Sequence, residues 1–378
     1  MEDFIMSTKI YMGEGSCDKI REFQIERAFI VCDPFMQTSG MTDLISDKLS
    51  DMGAEYQIFA EVVPDPDLTV IQKGLNQLNI FRPDTVFAIG GGSAIDTAKS
   101  IVYLYCNMHQ IKRPCIIALP TTSGTGSEVT SFAVITDHDA GIKYPLIDAE
   151  LIPNVVFLDP ALTASVPASV TADTGMDVLT HGLEAYVSTK ANDFTDAGAE
   201  KAIRMVFQYL ERCVADGHDM DARTHMHNAS CLAGTAFNIA SLGICHSMAH
   251  ALGERFHLPH GRCNAVFLPL VIEFNAGLDL TGESETLLRY AELANNLGIA
   301  SATPKATVHT FIHKIRTMMK RIGIPRGLSE LGIDPDSYLA EIDHMTRNAL
   351  QDRCTATNPR AVTEKDIRTL YYRYYQYK

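Results

Sequence analysis

Asp177 and His181 stand four residues apart in TGMDVLTHGLEAYV, and His246 and His250 repeat that interval in GICHSMAHALGERFHLPHG, where His260 follows in a Pro-His-Gly turn. On a helix, a spacing of four sends two side chains from the same face, one turn apart. Asp177, His181, His246 and His260 therefore sit at spacings that could close a tetrahedral metal site. One carboxylate and three imidazoles suit a divalent first-row ion, Fe²⁺ or Zn²⁺, with no thiolate to force the choice. The apolar neighbours Val178, Leu179, Met248 and Leu252 would bury these donors, and buried polar groups need partners. The competing reading is that a chain with 13 histidines throws up such pairs by chance, a lone histidine being more often a hydrogen-bonded core or surface residue.

The elements that must carry these residues change character near residue 167. Before it, the β-branched runs AFIVCD (28–33), TVFAIG (85–90), CIIALP (115–120), SFAVIT (131–136) and NVVFLDP (154–160) alternate with helix-like stretches. That alternation predicts an α/β domain with a largely parallel sheet. After Pro160 and Pro167 the strand signal stops, and segments such as DAGAEKAIRMVFQYLERCV show apolar residues at helical spacing. The expected organisation is an α/β domain over 1–167 and an all-helical domain over 168–378. The tyrosine-rich tail LYYRYYQYK reads as the amphipathic end of a last helix.

Three pieces of the α/β half suit a dinucleotide. TVFAIGGGSAIDTAKS runs from a strand through Gly90, Gly91 and Gly92 into a helix at Ser93. Bare amides there let a pyrophosphate approach the positive end of the helix, and Ser93 with Asp96 reads as a capping-box-like start. This is not Gly-x-Gly-x-x-Gly, and a glycine triplet after a strand is also a common tight turn. Between Thr121 and Ser131, seven of 11 residues carry hydroxyls and two are glycine, which suits ribose and phosphate contacts as well as an ordinary polar loop. Asp33, closing AFIVCD, could accept hydrogen bonds from a ribose diol and repel a 2′-phosphate, favouring NAD over NADP; it could also simply start an Asp-Pro turn.

Composition bounds the function. The chain has 378 residues, enough for two cores, with 46% hydrophobic and 21% charged residues. A net charge of -14 and a pI near 5.3 argue against nucleic-acid or membrane-surface partners, which call for a basic face. The nine cysteines form no Cys-x-x-Cys pair and several sit in apolar runs, as free thiols do in a reducing compartment. No basic segment leads into an apolar core at MEDFIMSTKIYMG, and no run reaches the roughly 18 apolar residues of a membrane span. The chain reads as cytoplasmic.

GGGSAIDTAK, PTTSGTGSEVT, GMDVLTHGLEAYVS, HSMAHALGERFHLPHG and CTATNPR together resemble the iron-dependent (group III) alcohol dehydrogenases over essentially the whole chain. Within that family GIKYPL, TADTGMDVLTH and FHLPHG resemble the 1-propanol dehydrogenases of propanediol-degrading bacterial microcompartments. The resemblance implies a Rossmann-like domain followed by an all-helical metal-binding domain, as in dehydroquinate synthase. It assigns Asp177, His181, His246 and His260 to the metal and His250 to proton transfer with solvent. Asp33, Gly90, Gly91, Gly92, Ser93, Thr121, Thr122, Ser123, Gly124, Ser131 and Lys143 match cofactor-contacting positions. Phe132, Phe237 and Cys354 match positions lining the substrate pocket. Apolar Phe132, where diol-handling relatives carry a polar residue, argues for a simple primary alcohol or aldehyde. Ser247 and Ala251 depart from the usual Gly and Pro, and Asp65 from a common Asn. The implied reaction is metal-polarised hydride transfer between NAD(H) and a short-chain aldehyde or alcohol, with Fe²⁺ or alternatively Zn²⁺, and with microcompartment shell or cargo proteins as partners; symmetry statistics add the expectation of a homodimer or higher homo-oligomer.

Ethanol, butanol and diol dehydrogenases of the same family stand as alternatives. A lyase related to dehydroquinate synthase would need a basic pocket for a carboxylated, phosphorylated substrate, and only Arg255 and Arg262 lie near the histidines in sequence. A non-catalytic microcompartment component is opposed by the full ligand set and the glycine turn.

Overall fold

The computed structural model describes residues 4–64, 66–137 and 142–376; Asp65 lies outside them. The chain forms two compact units. One comprises the residues up to Val166 together with Gly217–Asn238, the other Pro167–Asp216 together with the residues from Ile239.

In the first unit, strands β1 (Lys9–Met12), β2 (Arg27–Cys32), β3 (Glu55–Phe59), β4 (Thr85–Gly90), β5 (Cys115–Pro120) and β8 (Val155–Leu158) form a six-stranded sheet in the order β1-β8-β5-β4-β2-β3. All its pairings are parallel. The runs AFIVC, TVFAIG and CIIALP are continuous rather than alternating because their strands are covered on both faces. Phe29, Val31, Val86 and Ala88 pack on one side with Ile71 and Leu78 of α3 (Leu68–Phe81) and Ile95 and Ile101 of α4 (Gly92–His109). Ala28, Ile30, Phe87 and Ile89 pack on the other with Ile45 and Leu49 of α2 (Asp43–Asp51). The short helix α1 (Pro34–Thr38) follows β2 directly. From β2 the chain runs out to β3 and returns to β4 on the opposite side of β2, so the strand order reverses between β2 and β4. Ligands of open α/β sheets bind beyond the carboxyl ends of strands at such a point.

The run SFAVIT does not join this sheet. As β6 (Phe132–Asp137) it pairs antiparallel with β7 (Ile142–Ile147) in a separate hairpin. A short apolar run shows that a strand forms without showing which strand it meets.

The second departure is α7 (Met220–Ala240), which a single cut at 167/168 places with the helical half; all but its last two residues group with the first unit. The reason is a backbone crossing. A Cβ at Gly126 would meet Gly234 Cα at 2.6 Å, and one at Gly234 would meet Gly126 Cα at 2.9 Å. Only two glycines allow that approach.

The second unit is helical among the described residues: α5 (Ala168–Val187), α6 (Asp193–Ala215), α8 (Ile244–Phe256), α9 (His260–Ala276), α10 (Glu285–Asn296), α11 (Pro304–Arg321), α12 (Pro335–Gln351) and α13 (Glu364–Tyr375). Nearly all of α5 is buried. The tyrosine-rich tail ends α13, burying Ile367, Leu370, Tyr371 and Tyr374 along one side. All nine cysteines are free, and among the described residues no single helix is long and apolar enough to cross a membrane.

Candidate metal centre and dinucleotide turn

Helix α5 carries Asp177 and His181 one turn apart, α8 carries His246 in its first turn, and His260 opens α9. The Pro-His-Gly segment is thus the start of a helix, with Pro259 at its N-cap. One ligand atom from each of the four residues lies within 4.8 Å of the other three. Asp177 Oδ1 is 3.8 Å from His246 Nε2 and 3.5 Å from His260 Nε2, and the His181 and His246 rings stack at 4.7 Å. Asp177, His181 and His246 are buried while His260 is exposed, leaving one open side.

Three further residues hold this cluster. Asn264, one turn after His260, donates from Nδ2 to Asp177 Oδ1 at 2.8 Å. Glu184 Oε2 lies 2.5 Å from His246 Nδ1. Asp173, one turn before Asp177, takes both arms of Arg262 at 3.0 and 2.8 Å. Helix α9 reaches α5 through Gly261, where a Cβ would meet the Asp173 carbonyl oxygen at 2.2 Å.

The donor set fits a divalent ion. Nε2 of His246 is buried and has no hydrogen-bond partner. Burial, helped by the neighbouring His250, holds that imidazole well below its ordinary pKa, in the neutral form a metal requires. A neutral imidazole beside a carboxylate with no proton between them is a costly arrangement that a cation would relieve.

His250 shares a face of α8 with His246 but is exposed, its Nδ1 2.7 Å from Asp352 Oδ2. Its ring stacks on His260 at 5.2 Å. Burial pushes the Asp352 carboxyl up, but the hydrogen bond and charge of His250, with the Cys354 amide, hold it well below the usual carboxylate range. Ser247 donates to the same carboxylate at 3.3 Å and accepts from Thr355 at 2.9 Å. Cys354, in the turn Arg353–Thr357, is buried and donates its amide to Asp352 at 2.8 Å.

In the first unit, the carboxyl ends of β2 and β4 bring Asp33 beside Gly90. A Cβ at Gly90, which adopts φ 148°, would lie 3.8 Å from Asp33 Oδ2 and 2.7 Å from Ala94 Cβ. Asp33 caps α1, accepting the Met36 amide on Oδ1 at 3.0 Å, so both the turn-forming and acceptor features of this residue are present. The capping box is not: α4 begins at Gly92, Gly91 is its N-cap, and no side chain caps it. Asp96 is turned instead toward Ser127, which donates at 2.5 Å, and the Val134 amide at 3.0 Å. The Gly92 and Ser93 amides at the start of α4 have no intrahelical acceptor, whereas those of Ala94 and Ile95 bond the Gly91 carbonyl. Cβ atoms at Gly91 and Gly92 would crowd Thr122 and Thr125, so the turn packs on the hydroxyl loop.

Within that loop Thr121, Ser123 and Gly124 are buried and Thr122 is half-buried. Ser123 Oγ lies 3.0 Å from Nδ1 of buried His227 on α7, and Ser131 donates its amide and hydroxyl to Asn238 at 2.8 and 2.9 Å. Behind the loop, fully buried Lys99 donates to Ser127, Thr130 and the Phe132 carbonyl at 2.8–3.3 Å. Burial lowers Lys99 to about 8, opposed by the charges of Asp96 and Glu128. Phe132 stacks on Phe237 at 6.5 Å, while Cys354 belongs to the other unit. Lys143 lies on β7, its side chain outside those described.

Asp352, Asn264, Asp173 and Glu184 went unread in the sequence. A signal existed for Glu184, which follows Asp177 and His181 on the i, i+4, i+7 face of α5.

A parallel sheet with a glycine turn at its switch point and a helical unit gathering Asp177, His181, His246 and His260 have the features of an enzyme using a metal ion and a nucleotide. The chain belongs to the iron-containing alcohol dehydrogenase family: the model for that family matches residues 7–160, and the model for its C-terminal part, the Fe-containing alcohol dehydrogenase family, matches 171–375. It is an oxidoreductase by that membership. It is 43% identical to 1-propanol dehydrogenase PduQ of Citrobacter freundii over 372 residues, covering 98% of this chain and 99% of that one. The crystal structure of a 1,3-propanediol oxidoreductase superposes with a TM-score of 0.91 at 33% identity, covering 99% of both chains. Sulfoacetaldehyde reductase from Bifidobacterium kashiwanohense, in complex with NAD⁺, superposes with a TM-score of 0.88 at 29% identity, covering 100% of this chain and 99% of that one.

Proposed function

We propose that the chain is an NAD(H)- and divalent-metal-dependent dehydrogenase interconverting a short-chain aldehyde and its primary alcohol, propionaldehyde and 1-propanol foremost. The observation that carries the reading is the buried, partnerless Nε2 of His246 facing Asp177, with His181 and His260 closing the group. A bound Fe²⁺ or Zn²⁺ supplies Lewis-acid polarisation of a carbonyl oxygen. The residues that would hold it are Asp177, His181, His246 and His260. His250, exposed and held through Nδ1 by Asp352, is placed to pass a proton between this site and solvent. Asp33 Oδ2 faces the Gly90 turn and would accept from ribose hydroxyls, while its charge would repel a 2′-phosphate. The stacked Phe132 and Phe237 offer an apolar wall to an alkyl group. The likeness to 1-propanol dehydrogenase PduQ and to a reductase that binds NAD⁺ supports the substrate and cofactor.

A lyase acting on a carboxylated, phosphorylated substrate is disfavoured, because Arg262 is paired with Asp173 and Arg255 with Glu341. The prevalence of symmetric assemblies favours a homodimer or higher homo-oligomer, and the subgroup likeness of GIKYPL and FHLPHG supports a place among cytoplasmic microcompartment cargo.

The test is anaerobic NADH oxidation by protein loaded with Fe²⁺, loaded with Zn²⁺, or chelated, with propionaldehyde, acetaldehyde and lactaldehyde compared. Metal-dependent turnover favouring propionaldehyde is expected. Metal-loaded protein inert toward every aldehyde would overturn the proposal.

A further inference from the structure

We propose that Glu184 is a positioning residue of the metal centre, whose carboxylate fixes the His246 proton on Nδ1 and so keeps the Nε2 lone pair turned toward Asp177, His181 and His260. The inference rests on reading those residues as metal ligands.

Glu184 is buried on the face of α5 that also carries Asp177 and His181. Its side chain reaches the start of α8, where it meets two backbone amides and a ring nitrogen of His246. Oε1 accepts the Cys245 amide at 2.7 Å, and Oε2 accepts the His246 amide at 3.4 Å and faces His246 Nδ1 at 2.5 Å. Burial raises the pKa of the Glu184 carboxyl and the backbone amides oppose that rise; with an amide on each oxygen, the arrangement is met by an ionised, acceptor-only group. Nδ1 must then be the protonated ring nitrogen, which leaves Nε2 as a bare lone pair. That is the atom that is buried without a partner.

About two turns of α5 thus do three things: they supply two ligands, set the tautomer of a third, and hold the N-terminus of the helix bearing that third ligand. A carboxylate on the remote nitrogen of a ligating histidine typically raises metal affinity by 10–100-fold.

Glu184→Gln separates these roles cleanly. A side-chain amide offers one acceptor and one pair of donors. Either its NH₂ meets the Cys245 amide, or it meets His246 Nδ1 and drives the ring proton onto Nε2, where it blocks ligation. The experiment is chelator competition with Zn²⁺ and Co²⁺ on the full-length protein, with the visible absorption of the Co²⁺ form recorded alongside. His246→Ala serves as the reference for a lost ligand. The expected result is binding weakened roughly 10–100-fold in Glu184→Gln, with a changed Co²⁺ spectrum. Wild-type protein that fails to bind either ion would overturn the ligand reading itself. Wild-type protein that binds tightly, beside a Glu184→Gln variant of equal affinity and unchanged spectrum, would overturn only the role of Glu184. Should the variant not fold, the ring protonation of His246 in ¹⁵N-histidine-labelled, Zn²⁺-loaded wild type decides the matter: a proton on Nδ1 supports the inference, and a proton on Nε2 refutes it.

Discussion

Gly261→Ala should disarm the metal centre without touching a ligand. Gly261 is the second residue of α9, next to His260, and a Cβ there would lie 2.2 Å from the carbonyl oxygen of Asp173, 2.7 Å from its carbonyl carbon and 3.2 Å from Asp177 Cβ. The first two are backbone atoms of α5, so no rotamer change relieves the clash. The first turn of α9 has to retreat by about 1 Å to restore ordinary contact. Metal–ligand distances tolerate only about 0.2 Å, so a shift of that size carries His260 out of reach of an ion held by Asp177, His181 and His246. Overpacking of this kind costs about 1–3 kcal/mol, a fall of roughly 2–12 °C in thermal midpoint for a unit of this size. Calorimetry with and without Zn²⁺ separates the two effects. In wild type, saturating metal adds stability that grows with its concentration, about 2.7 kcal/mol at a hundredfold excess over Kd. In the variant that increment should shrink, and chelator competition should show weakened binding. A variant that melts like wild type and binds Zn²⁺ as tightly would mean that α5 and α9 are not in contact through Gly261.

His250→Ala should keep its metal and lose rate by roughly a hundredfold, the low end of general acid–base catalysis; metal analysis and single-turnover kinetics check both halves, and an emptied site would refute the relay role. His260→Ala should lose metal and activity together, so activity surviving in metal-free protein would break the ligand assignment. Lys99→Met removes the buried donor to Ser127 and the Thr130 carbonyl and should destabilise by about 1–3 kcal/mol, read as an earlier denaturant midpoint; a midpoint close to wild type would show that these bonds are dispensable. The Asp352 carboxyl is held below its unfolded value, so its contribution to stability is present above pH about 4 and lost as pH falls through the folded value. Urea midpoints of wild type and Asp352→Asn should therefore differ at neutral pH and converge in acid, and a gap that stays constant down to low pH would contradict this.

Local features of the sequence carried more of this structure than distant ones. Asp177 and His181 share a turn of α5, and four-residue spacing is visible without a fold. The parallel sheet was legible because strands covered on both faces become unbroken apolar runs. What escaped depended on contacts across the chain. Asp96 has the right offset from Ser93 for a capping box, but Ser127 and the Val134 amide compete for its carboxylate. The partner of β6 was invisible because the same apolar run suits a parallel or antiparallel neighbour. Glu184 and Asp352 act on histidines far along the chain; Glu184 at least shares the helix face of Asp177 and His181, whereas nothing local marks Asp352 as the partner of a remote imidazole.

The grouping of Gly217–Asn238 with the first unit imposes an order of events on synthesis. A chain emerging at roughly 5–20 residues per second delivers Val166 several seconds before α7. In that interval Ser123 lacks His227, Ser131 lacks Asn238, and Gly126 lacks the glycine it packs against. Helices α5 and α6 leave the ribosome before the unit that precedes them can be finished. The nascent polypeptide therefore carries an incomplete hydroxyl loop while part of the next unit is already synthesised, and a fragment ending at residue 166 would lack the partners of Ser123, Gly126 and Ser131.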